Sequence, residues 1–227
     1  MWLFIWVVLS SIVLGSTLWS LKILMDQKSA WEKFAKAKSF VLNKGTFTGP
    51  AEMNGMIGAY KFSFFTAERD GEDIKNRRLM TVLEMDLADG LVDGCVMGTQ
   101  KMLPFMQSLQ KLHPFVVETA PWDAAHFVFA RNDAAVKAYL TPERLDILAQ
   151  ILKTKNADVV VLFNDSELLV RMETTDPMKN VDKLDKIVAR LMTLVDKLRI
   201  TPDERARLQA LAPPAPPVPG TPAPEAQ

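Results

Sequence analysis

The chain opens with an uninterrupted apolar run. No charged side chain occurs between Trp2 and Leu21, and at about 1.5 Å per residue a helix over this run is roughly 30 Å long, the thickness of the hydrocarbon core of a bilayer. Trp2 and Trp6 lie near one end of the run and Trp19 near the other, as expected for indoles at the two membrane interfaces. The pattern predicts a transmembrane anchor within residues 1–25.

Basic residues follow the apolar run and none precedes it. Lys22, Lys28, Lys33, Lys36 and Lys38 form the series, whereas a cleaved signal peptide carries its basic segment before the apolar one. Because cytoplasmic flanks of spanning helices are enriched in Lys and Arg, we expect a single-pass protein with its bulk in the cytoplasm. The last four of these lysines either only fix the topology, which is the simpler interpretation, or also contact anionic headgroups weakly, at about 1 kcal/mol each.

Helical composition continues over residues 26–44. Trp31, Phe34 and Ala35 fall on one side of this segment and lysines on the other, which is the pattern of an amphipathic helix. We interpret the segment as a helical stalk that lies on or near the membrane.

After the stalk, glycines separate short runs of β-branched and aromatic residues. Residues 60–66 and 79–86 flank a long turn that contains Asp70 and Gly71, which predicts a β-hairpin with a charged tip. Weaker patterns predict strands at 94–98 and 115–118 and a helix near 103–112.

The stretch FARNDAAVKAYLTPERL, residues 129–145, has the density of polar groups expected of a working site. Helix capping explains it instead. Asn132 or Asp133 suits the start of a short helix, and Thr141, which precedes a proline and a glutamate, suits the start of a longer one. We therefore interpret the stretch as a corner between helices.

Two strands at 158–163 and 168–173 form a second predicted hairpin, around the turn NDSE. A long amphipathic helix follows at residues 178–199, and its apolar positions recur at alternating spacings of three and four. This seam either docks onto the sheet, which is the favoured interpretation, or serves as an interaction helix for a partner. Its members are Val181, Leu184, Val188, Leu191, Val195 and Leu198.

The chain ends in a short helix and a proline-rich tail. Thr201 and Glu204 have the spacing of a capping box, which predicts a helix over 201–211. Residues 212–227 hold APPAPPVPGTPAPEAQ, a composition with little to bury, so we expect a disordered tail.

Composition excludes several classes of function. Lys plus Arg and Asp plus Glu both total 27, so no net charge draws the chain to nucleic acid. One cysteine, Cys95, and two histidines supply neither an internal disulfide nor a Cys/His zinc site. The sequence contains no phosphate-binding glycine motif and no GxSxG elbow, so it predicts no cofactor and no catalytic residues. Cys95 lies in an apolar run and is expected to be structural.

The order HFVFARNDAAVKAYLTPERLDILAQI, ADVVVLFNDSELLVRME and a closing amphipathic helix resembles the C-terminal part of bacterial membrane-anchored domains of unknown function in the DUF3137-like group. Recognisable residues cover 126–175, and the order of elements matches over 55–200. The resemblance implies the fold and a bacterial inner (cytoplasmic) membrane, and it implies no activity.

These patterns together predict an α+β protein: one N-terminal transmembrane helix, then one mixed domain at 45–200 with antiparallel hairpins and a long C-terminal amphipathic helix. The favoured function is a non-catalytic membrane-tethered interaction or scaffold module with a protein partner. Two alternatives stay open, an envelope-associated hydrolase with an unrecognised site and a carrier of lipid or another apolar ligand. For the carrier, Phe62, Phe64, Phe65, Phe105 and the methionines would line the pocket.

Overall fold

The computed structural model describes residues 1–46, 49–70, 77–88, 90, 94–106, 112–118, 122–163 and 166–211, and the side chains of 69, 70, 77 and 78 are outside this description. Four predictions of the sequence analysis therefore lie wholly or partly outside the described residues. These are the tip of the first hairpin, the C-terminal part of the helix near 103–112, the middle of the turn NDSE and the proline-rich tail.

The described chain is a mixed α+β protein with one long N-terminal helix, as predicted. The helices are α1 (Trp2–Lys38), α2 (Leu103–Met106, preceded by a 3-10 turn at Gln100–Met102), α3 (Asp133–Tyr139), α4 (Pro142–Leu152), α5 (Val181–Asp196) and α6 (Pro202–Ala210). The strands are β1 (Val41–Asn43), β2 (Glu52–Ile57), β3 (Tyr60–Asp70), β4 (Arg77–Leu87), β5 (Cys95–Thr99), β6 (His113–Pro114), β7 (His126–Ala130), β8 (Ala157–Phe163) and β9 (Leu168–Thr174).

These strands form one sheet in the order β1-β2-β3-β4-β9-β8-β5-β7-β6. Every pairing among them is antiparallel. Both predicted hairpins are present, as β3-β4 and β8-β9. The strand predicted at 115–118 is wrong, because the strand at this sheet edge is His113–Pro114 and the residues after it have no regular structure.

Side-chain alternation gives the sheet an inner and an outer face. Phe62 and Phe64 of β3 and Leu83 and Met85 of β4 are fully buried on the inner face. The C-terminal part of α1 and helices α3, α4, α5 and α6 contribute to the same core. On the outer face, Met102 and Met106, in the 3-10 turn and α2, form a smaller core with side chains from β5, β7 and β8.

Side-chain caps start four of the helices. The Asn132 side chain accepts from the backbone N–H groups of α3, and Thr141, Asn180 and Thr201 do the same for α4, α5 and α6. Asn132 rather than Asp133 is therefore the cap of α3. The polar corner at 129–145 is built as the sequence analysis interpreted it.

The predicted stalk is wrong. Residues 26–44 are the C-terminal end of α1 followed by β1, and both belong to the domain. Trp31 and Phe34 are fully buried against the sheet. The amphipathic pattern was correct, but its apolar side faces the protein core instead of the membrane. The domain therefore begins within α1 and not at residue 45.

The seam of α5 packs into the core. Leu184, Val188, Leu191 and Val195 are buried, Val181 is partly buried, and Leu198, just beyond the end of the helix, is fully buried. The seam of α5 therefore docks onto the sheet, and its buried side chains are not accessible to a partner. The helix is shorter than predicted, at Val181–Asp196.

Leu184→Asp places a charge in this core and is expected to destabilise the domain by about 4 kcal/mol or more. Ala189→Asp, on the exposed face of the same helix, is the control and should cost less than about 1 kcal/mol. Urea titration of the full chain in mild detergent, followed by circular dichroism, measures both. Equal stability of the two variants would contradict the docked seam.

Candidate functional site

The first half of α1 has no protein around it. All residues from 1 to 20 are exposed, and an 18-residue window of the helix has a mean hydropathy of 1.9. Trp2, Trp6 and Trp19 are each more than 60% exposed. The helix is thus long and apolar enough to cross a membrane, and the exposure of this segment separates it from a core helix of the same composition.

The domain covers α1 from the point where the apolar run ends. Leu21, Ile23 and Leu24 are partly covered, and Gln27 is the first buried residue. From Leu21 to Gln27 the rise is about 9 Å. One unbroken helix therefore passes from the exposed apolar run into the core, with no linker between them.

Aromatic packing holds this helix on the sheet. The Trp31 and Phe64 ring centroids are 6.1 Å apart and those of Phe34 and Phe64 are 5.8 Å apart, both edge to face. Phe34 also meets Phe40, just after the helix, at 5.6 Å. Such pairs add about 0.5–1.5 kcal/mol each beyond the burial of their surface.

A small polar layer lies where α1 enters the core. The Gln27 amide donates to the Thr81 hydroxyl at 3.4 Å. The Trp31 indole N–H and the Thr66 hydroxyl are buried with no hydrogen-bond partner among the described residues. Unpaired buried polar groups cost about 1–3 kcal/mol each, so packing of the apolar rings, not polar pairing, holds the helix here.

Some of the lysines that follow the apolar run make polar contacts in the structure. Lys28 donates to the backbone carbonyl of Thr46 at 2.6 Å. Lys36 lies 3.0 Å from Glu32 and Lys38 lies 2.8 Å from Asp185. Lys44 also contacts Glu32, and hydrogen bonds from Lys44 and Lys36 lower the pKa of that carboxyl. Lys28 and Lys38 therefore connect α1 to other parts of the domain.

A cavity of about 650 Å³ opens beside α1, at the ends of β4, β8 and β9. We call it the anchor-side groove. Its lining combines apolar and polar side chains, among them Ile23, Met80, Pro177, Lys101, Asn156 and Lys179.

Arg144 holds together the polar corner at residues 129–145. Its guanidinium makes two hydrogen bonds to the Glu204 carboxylate, at 2.5 and 2.7 Å, and stacks over the Tyr139 ring at 4.3 Å. It also donates to the backbone carbonyls of Tyr139 and Arg199. Arg144 therefore joins α3, α4 and α6, and its fixed contacts are those of a structural residue. Hydrogen bonding to Arg144 is the largest cause of the lowered pKa of Glu204.

A second arginine organises the outer face of the sheet. Arg171 contacts Glu84 and Glu173, both at 2.7 Å. Its guanidinium lies 5.6 Å from the centre of the Phe65 ring and 5.0 Å from that of Phe105. Phe65 and Phe105 therefore contact a cation on the outer face, while Phe62 and Phe64 belong to the inner core, so the four rings do not line one pocket as a carrier would require.

The single cysteine and the two histidines lie in different surroundings. Cys95 is fully buried, and burial raises the pKa of its thiol. His126, at the start of β7, is partly buried, and burial lowers its pKa. His113 is exposed and lies 2.8 Å from the Asp133 carboxylate. Among the described residues, no group of three or more His, Cys, Asp or Glu side chains could hold a metal ion.

No protein-family model matches the chain, and no curated protein matches it in sequence. The resemblance of residues 126–175 to the DUF3137-like group stays a prediction.

The Arg144–Glu204 pair makes stability depend on acidity. Since the folded pKa of Glu204 is lowered, its contribution is present above the unfolded value of about 4.3 and is lost as the pH falls through the folded value. Glu204→Gln should cost about 1–3 kcal/mol at pH 7 and should flatten the loss of stability below about pH 4.3. Thermal unfolding at pH 3 to 7 measures this.

Glu143→Gln is the control for this experiment, because Glu143 is an exposed acid in the first turn of α4. Its stability and acid profile should stay close to those of the unaltered protein. If both variants behave alike, Arg144 and Glu204 do not hold the corner.

Cys95 should react with a bulky thiol reagent only after unfolding, because its sulfur is buried and its thiolate is disfavoured. The rate of modification in native protein and in urea gives the comparison. Rapid labelling of the native protein would show that the segment around β5 opens in the folded state and that Cys95 is not permanently buried.

Proposed function

We propose that the chain is a single-pass protein of the bacterial inner membrane whose cytoplasmic domain is a non-catalytic interaction or scaffold module. The observation that carries the proposal is α1, which joins an exposed apolar segment of spanning length to the core of the domain. The lysines after that segment favour a cytoplasmic domain. Confinement at a membrane raises the effective concentration of a weak partner without any new contact.

An exposed apolar patch on the outer face offers a surface for such a partner. Val41 in β1 is 77% exposed and Met56 in β2 is 57% exposed. β1 is a three-residue strand at the edge of the sheet, and edge strands present unpaired backbone groups that a partner strand can use. This patch replaces the α5 seam as the candidate interaction surface.

The hydrolase alternative has one observation in its favour. His113 and Asp133 form an exposed pair beside a cavity of about 530 Å³, which Asp133 and Lys137 line. The described lining of that cavity contains no Ser, Thr or Cys nucleophile. A His–Asp pair without a nucleophile does not complete an acyl-transfer site, so the module is the better supported function.

A reporter fused after Gln227 should be cytoplasmic. A fluorescent protein at this position should fluoresce, and alkaline phosphatase should be inactive, because the basic flank stays inside. The reverse pair of results would place the domain on the other side of the membrane.

The anchor should be replaceable only up to the point where the domain begins. Exchanging residues 1–20 for an unrelated span of the same orientation should leave the crosslinked partners in native membranes unchanged. A soluble form that begins at Lys22 keeps Gln27 to Ala35 in the core and should fold, but it should lose crosslinking at native expression levels. If the soluble form crosslinks fully to the same partners, or if it turns over a small molecule, the proposal of a membrane-tethered module is wrong.

A second variant tests the patch itself. Met56→Glu adds a charge to an exposed side chain and should leave unfolding unchanged within about 0.5 kcal/mol while abolishing crosslinking. Lys186→Glu, at an exposed position of α5, is the control for a change of charge away from the patch and should leave crosslinking unchanged.

A further inference from the structure

The cavity beside His113 and Asp133 lies at the β6 edge of the sheet, and we call it the edge groove. Its volume is about 530 Å³, and six of its nine described lining residues are apolar: Pro114, Phe115, Val116, Val117, Leu140 and Leu145. Phe115 and Val117 pack partly against the main core. Val116, between them, is 78% exposed. The edge groove therefore presents an apolar surface to solvent.

The described chain ends beside this groove. The side-chain amide of Asn132 donates to the backbone carbonyl of Leu211, the last described residue, at 3.1 Å. The next residue of α3, Asp133, lines the groove and lies 2.8 Å from His113, which immediately precedes the lining segment. Residues 212–227 therefore leave the domain at one end of the edge groove.

The exposed apolar side chains mark the same place. Beyond α1, the large apolar side chains that are exposed in the described part of the chain are Val41, Met56, Leu79, Val116 and Leu211. Two of these five lie at the edge groove and at the point where the tail begins. An apolar segment that continues from Leu211 along the groove would cover Val116.

The tail is long enough to follow the groove. Residues 212–224 carry no charge, and seven of them are proline. At about 3.1 Å per residue in polyproline II, this uncharged part is roughly 40 Å long. The lining segment 114–118 spans at most about 18 Å. Glu225, the one charged side chain of residues 212–227, can therefore lie beyond the groove.

A proline-rich segment also suits the groove chemically. The composition that predicts disorder in isolation favours polyproline II, whose stiffness lowers the entropy lost on binding to an apolar groove with an aromatic side chain. Its backbone carbonyls make no internal hydrogen bonds, and the exposed ammonium group of Lys137 is a donor on the lining. The other charged lining residues, Glu118 and Asp133, oppose an acidic ligand but not an uncharged one.

We propose that residues 212–224 bind in the edge groove of their own chain as a polyproline II segment and cover Val116. Covalent attachment sets the effective concentration of the tail at the groove in the millimolar range, so weak contacts are sufficient. The docked tail covers the β6 edge of the sheet, at the opposite end of the strand order from β1. The proposal depends neither on the membrane anchor nor on the patch at Val41 and Met56.

Hydrogen exchange of the full chain in mild detergent tests this cover. The variant carries Pro213→Ser, Pro214→Ser, Pro216→Ser, Pro217→Ser and Pro219→Ser, which keep the length of the tail and remove its stiffness. The amides of residues 116–118 should exchange about three- to tenfold faster in this variant, as expected when a millimolar effective concentration no longer fills the groove. The amides of residues 41–43 should not change. Equal exchange at 116–118 in both proteins would overturn the proposal.

A free peptide of residues 212–227 tests the same groove from outside. Added at about 1–10 mM, which matches the effective concentration of the attached tail, it should restore slow exchange at 116–118 in the serine variant. In the unaltered chain it should change nothing, because the groove is already filled. Failure to restore slow exchange would overturn the proposal.

Two exposed valines supply a matched pair of variants. Val116 is 78% exposed and Val41 is 77% exposed, so Val116→Asp and Val41→Asp should unfold at the same urea concentration as the unaltered chain. Relative to unfolded peptides of the same sequences, exchange at residues 117–118 should rise about three- to tenfold in Val116→Asp only, because a carboxylate displaces the apolar tail. Equal exchange in the two variants would contradict docking at Val116.

Dilution separates the chain's own tail from that of a second copy. Docking within one chain predicts the same exchange at residues 116–118 when the unaltered protein is diluted tenfold, because the effective concentration is set by the attachment. Faster exchange on dilution would assign the bound tail to a second copy and would overturn docking within one chain. Because this outcome involves neither the anchor nor Met56, it leaves the proposed membrane-tethered module unaffected.

Discussion

The structure depends on the packing of Trp31 and Phe34 against Phe64. Because of this packing, one helix is exposed along its first half and is part of the domain core along its second half. Over residues 1–20 the helix is exposed on all sides, and a helix of that kind needs an apolar solvent. From Gln27 onward one side of it is part of the domain core. Burial of each aromatic ring contributes about 1.5–3 kcal/mol, so the domain holds the end of its own anchor firmly.

In the single-pass arrangement that we propose, this continuous helix couples the domain to the membrane mechanically. A flexible tether would let the domain turn freely above the bilayer and present any surface to it. An unbroken helix removes that freedom, and the β2-β3 turn then lies at the end of the sheet that is far from the anchor. A surface held at constant height and orientation suits a module that meets partners in or near the same membrane.

Local patterns along the chain predicted most of the elements. The caps at Asn132 and Thr141, the two hairpins and the seam of α5 follow from neighbouring residues and regular spacing. The prediction of a stalk was wrong because an amphipathic pattern shows only that one side of a helix is apolar. Whether that side meets lipid or a sheet depends on Phe64, some thirty residues further along, and no local rule reports such a contact.

The candidate site was harder to predict for the same reason. Lys101 and Lys179 come from the turns after β5 and β9, and only the order of strands in the sheet brings them to one cavity. Arg144 and Glu204 likewise meet across sixty residues. The polar density at 129–145 was visible in the sequence, but the partners that make Arg144 structural were not.

Hydrogen exchange of the full chain in nanodiscs tests the central claim most directly, because it reports on the backbone between the apolar run and the core. A continuous helix docked on the sheet predicts that the amides from Lys22 to Trp31 are protected as strongly as those of α5. Exchange of that segment within seconds, with α5 still protected, would show a hinge between membrane and domain and would contradict the account.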